Sequence, residues 1–225
     1  MVTDLIRAMA WCGNTTDAIV VGIGYPENTD PQEAWREAFA RRWIDLTPIR
    51  DEVPEKWVSE ATKRPCLTGD ACNFLNFMKN EVIPMVENEY QIDPSKRILA
   101  GHSHGGLFTA FALLEQPGLF RYYIIGSPSL SYGNKFMFKC EEQFAIRRKR
   151  LPANVYLSVG ELEESANDTT LADTLRFAAI LESRKYKGLS LRKQIFTDLN
   201  HCEVIAPGFQ AGLKIALRKL QPNPV

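Results

Sequence analysis

The sequence has no excess charge of either sign: 27 lysines and arginines stand against 27 aspartates and glutamates in 225 residues. Without a net field, nothing points to nucleic acid or to strongly acidic partners. Long apolar runs are missing too. The longest, such as residues 18–24, fall well short of the roughly 20 residues that a bilayer-spanning helix needs. Cysteine is sparse and unpatterned: Cys12, Cys66, Cys72, Cys140 and Cys202 form no CxxC pair and no zinc-like spacing. An odd set of this kind favours reduced thiols buried as small hydrophobes, and leans towards a cytosolic setting. Met1-Val2-Thr3-Asp4 lacks the basic start of a signal peptide. No repeat or Gly-, Ser- or Pro-rich linker divides the chain. What remains is 45 % hydrophobic and 24 % charged, a composition that excludes disorder. Residues 1–225 therefore fit one domain with a sizeable core.

Along this chain, helical and strand-like segments alternate. Residues 5–11 space apolar side chains for a helix that stops at Gly13-Asn14. Residues 18–23, Ala-Ile-Val-Val-Gly-Ile, read as a β-branched strand buried on both faces. The Pro- and charge-rich stretch 24–60 reads as a long irregular excursion. A helix N-capped by Asp70 then lines up Phe74, Leu75, Met78, Val82 and Met85 on one face. Further strands are predicted near 98–100, 122–125, 155–159 and 191–196. Between and after them come helices near 104–116, 168–184 and 208–220, the last with Phe209, Leu213, Leu217 and Leu220 on one side. Such alternation predicts an α/β fold with a mainly parallel sheet and helices on both faces.

Gly101-His102-Ser103-His104-Gly105 is a G-x-S-x-G segment lying after a predicted strand and before a predicted helix. That context defines a nucleophile elbow. A turn this sharp strains the backbone of Ser103, and side chains at 101 or 105 are expected to collide across it. The elbow also sets Ser103 at a helix N-terminus, where the His104 N–H can serve as an oxyanion donor.

A serine attacks only when a base removes its proton, and the chain offers three histidines. His102 and His104 flank the nucleophile and are directed away from its side chain by the turn. His201 remains, in a loop between the last predicted strand and the last helix, where open α/β sheets build their sites. The third member should follow the serine and precede the histidine. Glu161, Glu163, Glu164 and Asp168 lie beyond the 155–159 strand. Glu163 is the first choice and Glu161 the second, with a Ser–His dyad left open.

These motifs carry a resemblance. Ser103 with its glycines, Gly69-Asp70-Ala71, Val21-Gly22-Ile23-Gly24-Tyr25, Arg42-Trp43-Ile44-Asp45-Leu46-Thr47-Pro48 and Gly126-Ser127-Pro128-Ser129 together resemble the esterase D-like putative esterase family of α/β-hydrolases. Val159-Gly160-Glu161-Leu162-Glu163 and Asn200-His201 fit the same pattern, which is most similar to bacterial hydrolases related to siderophore esterases. The resemblance implies one α/β-hydrolase domain over residues 1–225 and a serine carboxylesterase that needs no metal or organic cofactor. Its substrate would be a small-molecule, siderophore-like ester. Ser103 would be the nucleophile, His201 the base and Glu163 the acid. Siderophore-type relatives also make a periplasmic setting an alternative to the cytosol.

The resemblance further implies strands ahead of the opening helix, one of them ending in an Asp-Gly segment that helps bind the oxyanion. Met1 starts at that helix. In the family's strand order, one of those strands lies between residues 18–23 and the strand carrying Ser103. Three outcomes are expected: a shortened chain, direct pairing of those two strands, or a strand supplied by another copy in a homodimer. Loss of one oxyanion donor would cost about 10²–10³ in rate.

Arg41 and Arg42 could hold an anionic substrate group, or Arg42 could simply pair with Asp45 at the surface. Trp43, Trp57, Tyr132 and Phe136 are candidates for an acyl or aryl pocket or for plain core. Two rival functions use the same residues differently: acyl transfer to an alcohol other than water, and a non-catalytic relative that binds a ligand.

Overall fold

The computed structural model describes residues 1–13, 15–25 and 28–220, excepting the side chains of 219 and 220. The expected roles of Asn14 and of the Leu220 side chain lie outside the described residues. In chain order the elements are α1 (Val2–Trp11), α2 (Pro31–Asp45), α3 (Glu52–Thr62), α4 (Ala71–Phe77), a π-helical turn (Met78–Val82), α5 (Ile83–Glu89), a 3₁₀ turn (Pro94–Lys96), β1 (Ile98–His102), α6 (His104–Glu115), β2 (Tyr122–Gly126), α7 (Tyr132–Arg147), β3 (Asn154–Gly160), α8 (Thr170–Arg184), β4 (Ser190–Phe196) and α9 (Ile205–Leu220). They fall into two compact units. One comprises Met1–Val21, Asp93–Ser131 and Met137–Val225; the other comprises Gly22–Ile92 and Tyr132–Phe136.

The first unit is built on a four-stranded sheet in the order β1-β2-β3-β4, every pair parallel. Its register sets His102, Gly126 and Ser158 side by side on one rung, at the carboxyl ends of β1 and β2 and two residues before that of β3. Alternation sends Tyr122, Ile124 and Tyr156 to one face. There they join Ile6 and Met9 of α1 and Leu213, Ala216 and Leu217 of α9 in a continuous apolar cluster. Tyr123, Ile125 and Leu157 point the other way and are completely buried, with α6 packed on β1 and β2 and α8 on β3. Burial of every β2 position is what a central parallel strand requires.

Residues 18–23 do not form the expected strand. They lie outside the sheet, and Ile19, Val20, Val21 and Ile23 are 38–47 % exposed. A β-branched apolar run becomes a strand only when a neighbour takes its backbone hydrogen bonds. Among the described residues β1 pairs with β2 alone, so direct pairing of 18–23 with the Ser103 strand does not occur. The expected burial of the thiols holds for Cys66 and fails for Cys12, Cys72 and Cys202, which are exposed, with Cys140 in between.

The second unit overturns the expected irregular excursion over 24–60, because two helices occupy it. Asp30 accepts the Gln32 and Glu33 N–H groups and Pro31 fills the first helical position, which starts α2. Asp51 accepts the Val53 N–H and starts α3. Ala40, Val58 and Cys66 form their shared core, with Phe39, Trp43 and Ile44 packed against it. Asp70 sits at the N-cap of α4, but its side chain takes Asn73 instead of a backbone N–H. The start of α4 is satisfied by the end of α2. Gly69 N–H donates to Thr47 Oγ1 at 2.8 Å, Asp70 N–H to the Ile44 carbonyl at 3.0 Å, and Ala71 N–H to the Thr47 carbonyl at 3.1 Å. Pro84 lacks an N–H, so the helical ladder slips by one residue in the π turn before α5 resumes.

Candidate active site

The predicted catalytic residues Ser103, Glu163 and His201, together with His104, all belong to the sheet-containing unit. Ser103 follows β1 directly and caps α6 with φ +61° and ψ −121°. This is a conformation that a residue with a Cβ rarely adopts, at a cost of about 1–3 kcal/mol. The elbow is as tight as expected at Gly101, where an added Cβ would lie 2.1 Å from the Gly105 carbonyl oxygen. At Gly105 the expected collision is absent, since a Cβ there meets open space. Gly106 is constrained instead, since an added Cβ there would lie 2.5 Å from the Gly126 carbonyl oxygen. Ser103 N–H donates to the Gly126 carbonyl at 3.0 Å, and the Ser103 carbonyl accepts Leu107 N–H and Ser129 N–H. His104 is the first residue of α6, at the end whose dipole favours negative charge.

Glu163 follows β3 and is almost fully buried. Its Oε1 accepts the Ser127 hydroxyl at 2.6 Å and the Gly160 N–H at 2.7 Å, while its Oε2 lies 2.5 Å from His201 Nδ1. Burial pushes the Glu163 carboxyl up, but hydrogen bonds from His201, Ser127 and the Gly160 N–H outweigh it and hold the group below the ordinary carboxylate range. The same contact with Glu163 raises His201 above the usual imidazole value, against the opposing effect of burial. With Glu163 ionised, Nδ1 carries the proton and Nε2 keeps its lone pair.

The other candidate acids are occupied elsewhere. Glu161 accepts the Asp198 N–H, Glu164 the Ala172 N–H and Asp168 the Thr170 N–H. His102, set aside on sequence grounds, lies with its ring centroid 4.6 Å from that of His201. Ser127 entered the sequence reading only within a motif, and nothing in its spacing signalled contact with the acid. Among the described residues, no three His, Cys, Asp or Glu side chains cluster as a metal site would.

Arg42 and Tyr132 belong to the second unit. Tyr132 is buried, donates its hydroxyl to the Ile49 carbonyl at 2.8 Å and packs against Trp43. Trp43 also meets Trp57 edge-on, and Trp35 stacks on Phe39. Arg42 is exposed. Asp45, its expected partner, takes a hydrogen bond from the Tyr25 hydroxyl.

The family model described as "Putative esterase" matches residues 15–201. The chain belongs to this esterase family. It is 30 % identical over 212 residues to the ferri-bacillibactin esterase BesA of Bacillus subtilis, covering 92 % of this chain and 69 % of the relative. The siderophore enterobactin esterase of Emericella nidulans is 34 % identical over 225 residues, with 88 % and 71 % covered. The siderophore hydrolase EstA from Aspergillus nidulans superposes with a TM-score of 0.79 at 25 % identity, over 98 % of this chain and 78 % of that one. The fold is that of the α/β-hydrolases, and the esterase is a hydrolase acting on esters. No helix among its described residues is long and apolar enough to cross a membrane.

Proposed function

We propose that this esterase is a serine hydrolase that cleaves siderophore-like esters through an acyl-enzyme. The observation that carries the reading is the buried Glu163 carboxylate on His201 Nδ1, in the same unit as a serine held in a strained elbow. Ser103 Oγ attacks the ester carbonyl carbon while His201 Nε2 takes its proton. The His104 N–H, at the start of α6, helps to stabilise the oxyanion. The intermediate collapses by breaking the ester C–O bond, and His201 returns the proton to the leaving alkoxide. Water then attacks the acyl-enzyme with His201 again as base, which releases the acid and restores Ser103.

The substrate class rests on the relatives, whose names print ferri-bacillibactin and enterobactin as what they act on. The test measures hydrolysis of a short p-nitrophenyl ester and of enterobactin, with fluorophosphonate labelling alongside. Wild-type protein is expected to turn over both esters and to be labelled at Ser103, whereas Ser103→Ala loses turnover and label together. Full turnover by Ser103→Ala would sink the mechanism. Hydrolysis of the p-nitrophenyl ester with enterobactin left intact would sink the substrate class alone.

A further inference from the structure

Ser127 lies at the first position beyond β2, completely buried. Its φ of +36° is unfavourable for any residue with a Cβ. A glycine would relieve that backbone, so the hydroxyl is kept at a conformational cost. Its N–H is already engaged, donating to the Ser158 carbonyl at 2.7 Å. The hydroxyl spans 36 residues of sequence to reach Glu163 Oε1 at 2.6 Å. That oxygen receives a second donor, the Gly160 N–H at 2.7 Å. Two donors from two strand ends thus fix one carboxylate oxygen, and the other is left aimed at His201 Nδ1.

The neighbours of Ser127 grip the elbow. The Gly126 carbonyl accepts the Ser103 N–H, and the Ser129 N–H donates to the Ser103 carbonyl. One short loop therefore holds both the nucleophile's backbone and the acid's carboxylate. We infer that Ser127 is a positioning residue, whose hydroxyl clamps Glu163 so that the carboxylate keeps the His201 imidazole in a productive orientation. The inference rests on the proposed roles of Ser103, Glu163 and His201. With that hydroxyl gone, the Gly160 N–H alone holds Oε1, so the carboxylate turns more freely about its last side-chain bond and tethers the imidazole less firmly.

Two substitutions separate the hydroxyl from the backbone. Ser127→Ala removes the hydroxyl and keeps the strain, while Ser127→Gly removes the hydroxyl and relieves the strain. Both are expected to lose about tenfold in kcat with KM unchanged, the loss typical of one hydrogen bond to a charged group. The far-downfield proton resonance of the Nδ1–H···Oε2 bond should broaden in both, as the freed pair exchanges with solvent. Ser127→Gly should melt at a higher temperature than Ser127→Ala without regaining kcat, and it carries the test if the alanine variant fails to fold. Wild-type kcat in Ser127→Gly, or an unmoved resonance in both variants, overturns the inference. Ser103→Ala is assayed in parallel. If it still hydrolyses ester at the full rate, the serine mechanism has failed, and the resonance alone then decides for or against Ser127.

Discussion

Glu163 Oε2 lies 2.5 Å from His201 Nδ1, and the rest of that carboxylate is held from behind by Ser127 and Gly160. An imidazole tethered in this way would lose little orientational freedom on taking a proton. Its tautomer is set before any substrate arrives.

The tether has a kinetic signature in pH. His201 must be neutral to act as a base, and Glu163 raises its pKa above the ordinary value of 6.5. The acidic limb of kcat/KM against pH should therefore fall above 6.5. In Glu163→Gln the residual activity should show that limb displaced to lower pH, with kcat reduced about 10²–10⁴-fold, as for other triad acids. A pH–rate profile of both proteins on a p-nitrophenyl ester checks this.

The same pair stabilises the fold within a window. Glu163 is lowered from 4.5, so its contribution is present above that value and fades as pH falls through the native pKa. His201 is raised from 6.5, so its contribution is complete below that value and fades as pH rises through the native pKa. The difference in melting temperature between wild type and Glu163→Gln should peak between 4.5 and 6.5 and shrink on either side. Thermal melts across pH 3–9 would read it.

Ser103 sits at φ +61°, so glycine should suit the position better than alanine. Both variants are expected to be inactive, with Ser103→Gly more stable than Ser103→Ala by about 1 kcal/mol. Equal denaturation midpoints would mean that the elbow stores no such strain.

Gly160 has no room to grow. A Cβ there would lie 2.2 Å from the Leu199 carbonyl oxygen and 3.0 Å from Glu163 Oε1. Leu199 precedes the loop that presents His201, so Gly160→Ala must push that backbone aside. The expected cost is about 1–3 kcal/mol of stability, with a larger fractional loss of kcat than a Gly105→Ala control, whose Cβ meets open space. Urea denaturation and initial rates would test the contrast.

Burial separates two apolar segments that look alike in sequence. Ile125 on β2 is completely buried, whereas Val20 is 38 % exposed outside the sheet. Ile125→Ala should cost about 2–5 kcal/mol, but Val20→Ser only about 0.5 kcal/mol. A comparable loss in Val20→Ser would show that residues 18–23 are covered in solution.

Strands β1, β2 and β3 were readable because each is a short apolar run next to a turn signal, and G-x-S-x-G marked the corner between β1 and α6. His201 could be found by elimination among three histidines. Glu163 could be ranked but not decided, since Glu161 lies two residues away and only the folded loop sends it to Asp198. Residues 18–23 misled because β propensity describes a side chain's fit to a sheet and says nothing about whether a neighbouring strand exists. The helices α2 and α3 were hidden by charge and proline, although Trp35, Phe39 and Trp43 recur every four residues. Asp30-Pro31 and Asp51 were start signals in plain view. Ser127 was invisible because its partner is 36 residues away and its conformation is imposed by the strands on either side.

The shared rung of His102, Gly126 and Ser158 makes the machinery an all-or-nothing assembly. Sliding any one of these three strands by a single residue would part the elbow from its carbonyl anchor, or the loop serine from the acid. With Ser103, Glu163 and His201 in their proposed roles, turnover would then vanish even if most of the secondary structure survived. Enzymatic rate is thus a stricter gauge of correct strand alignment in this molecule than circular dichroism could be.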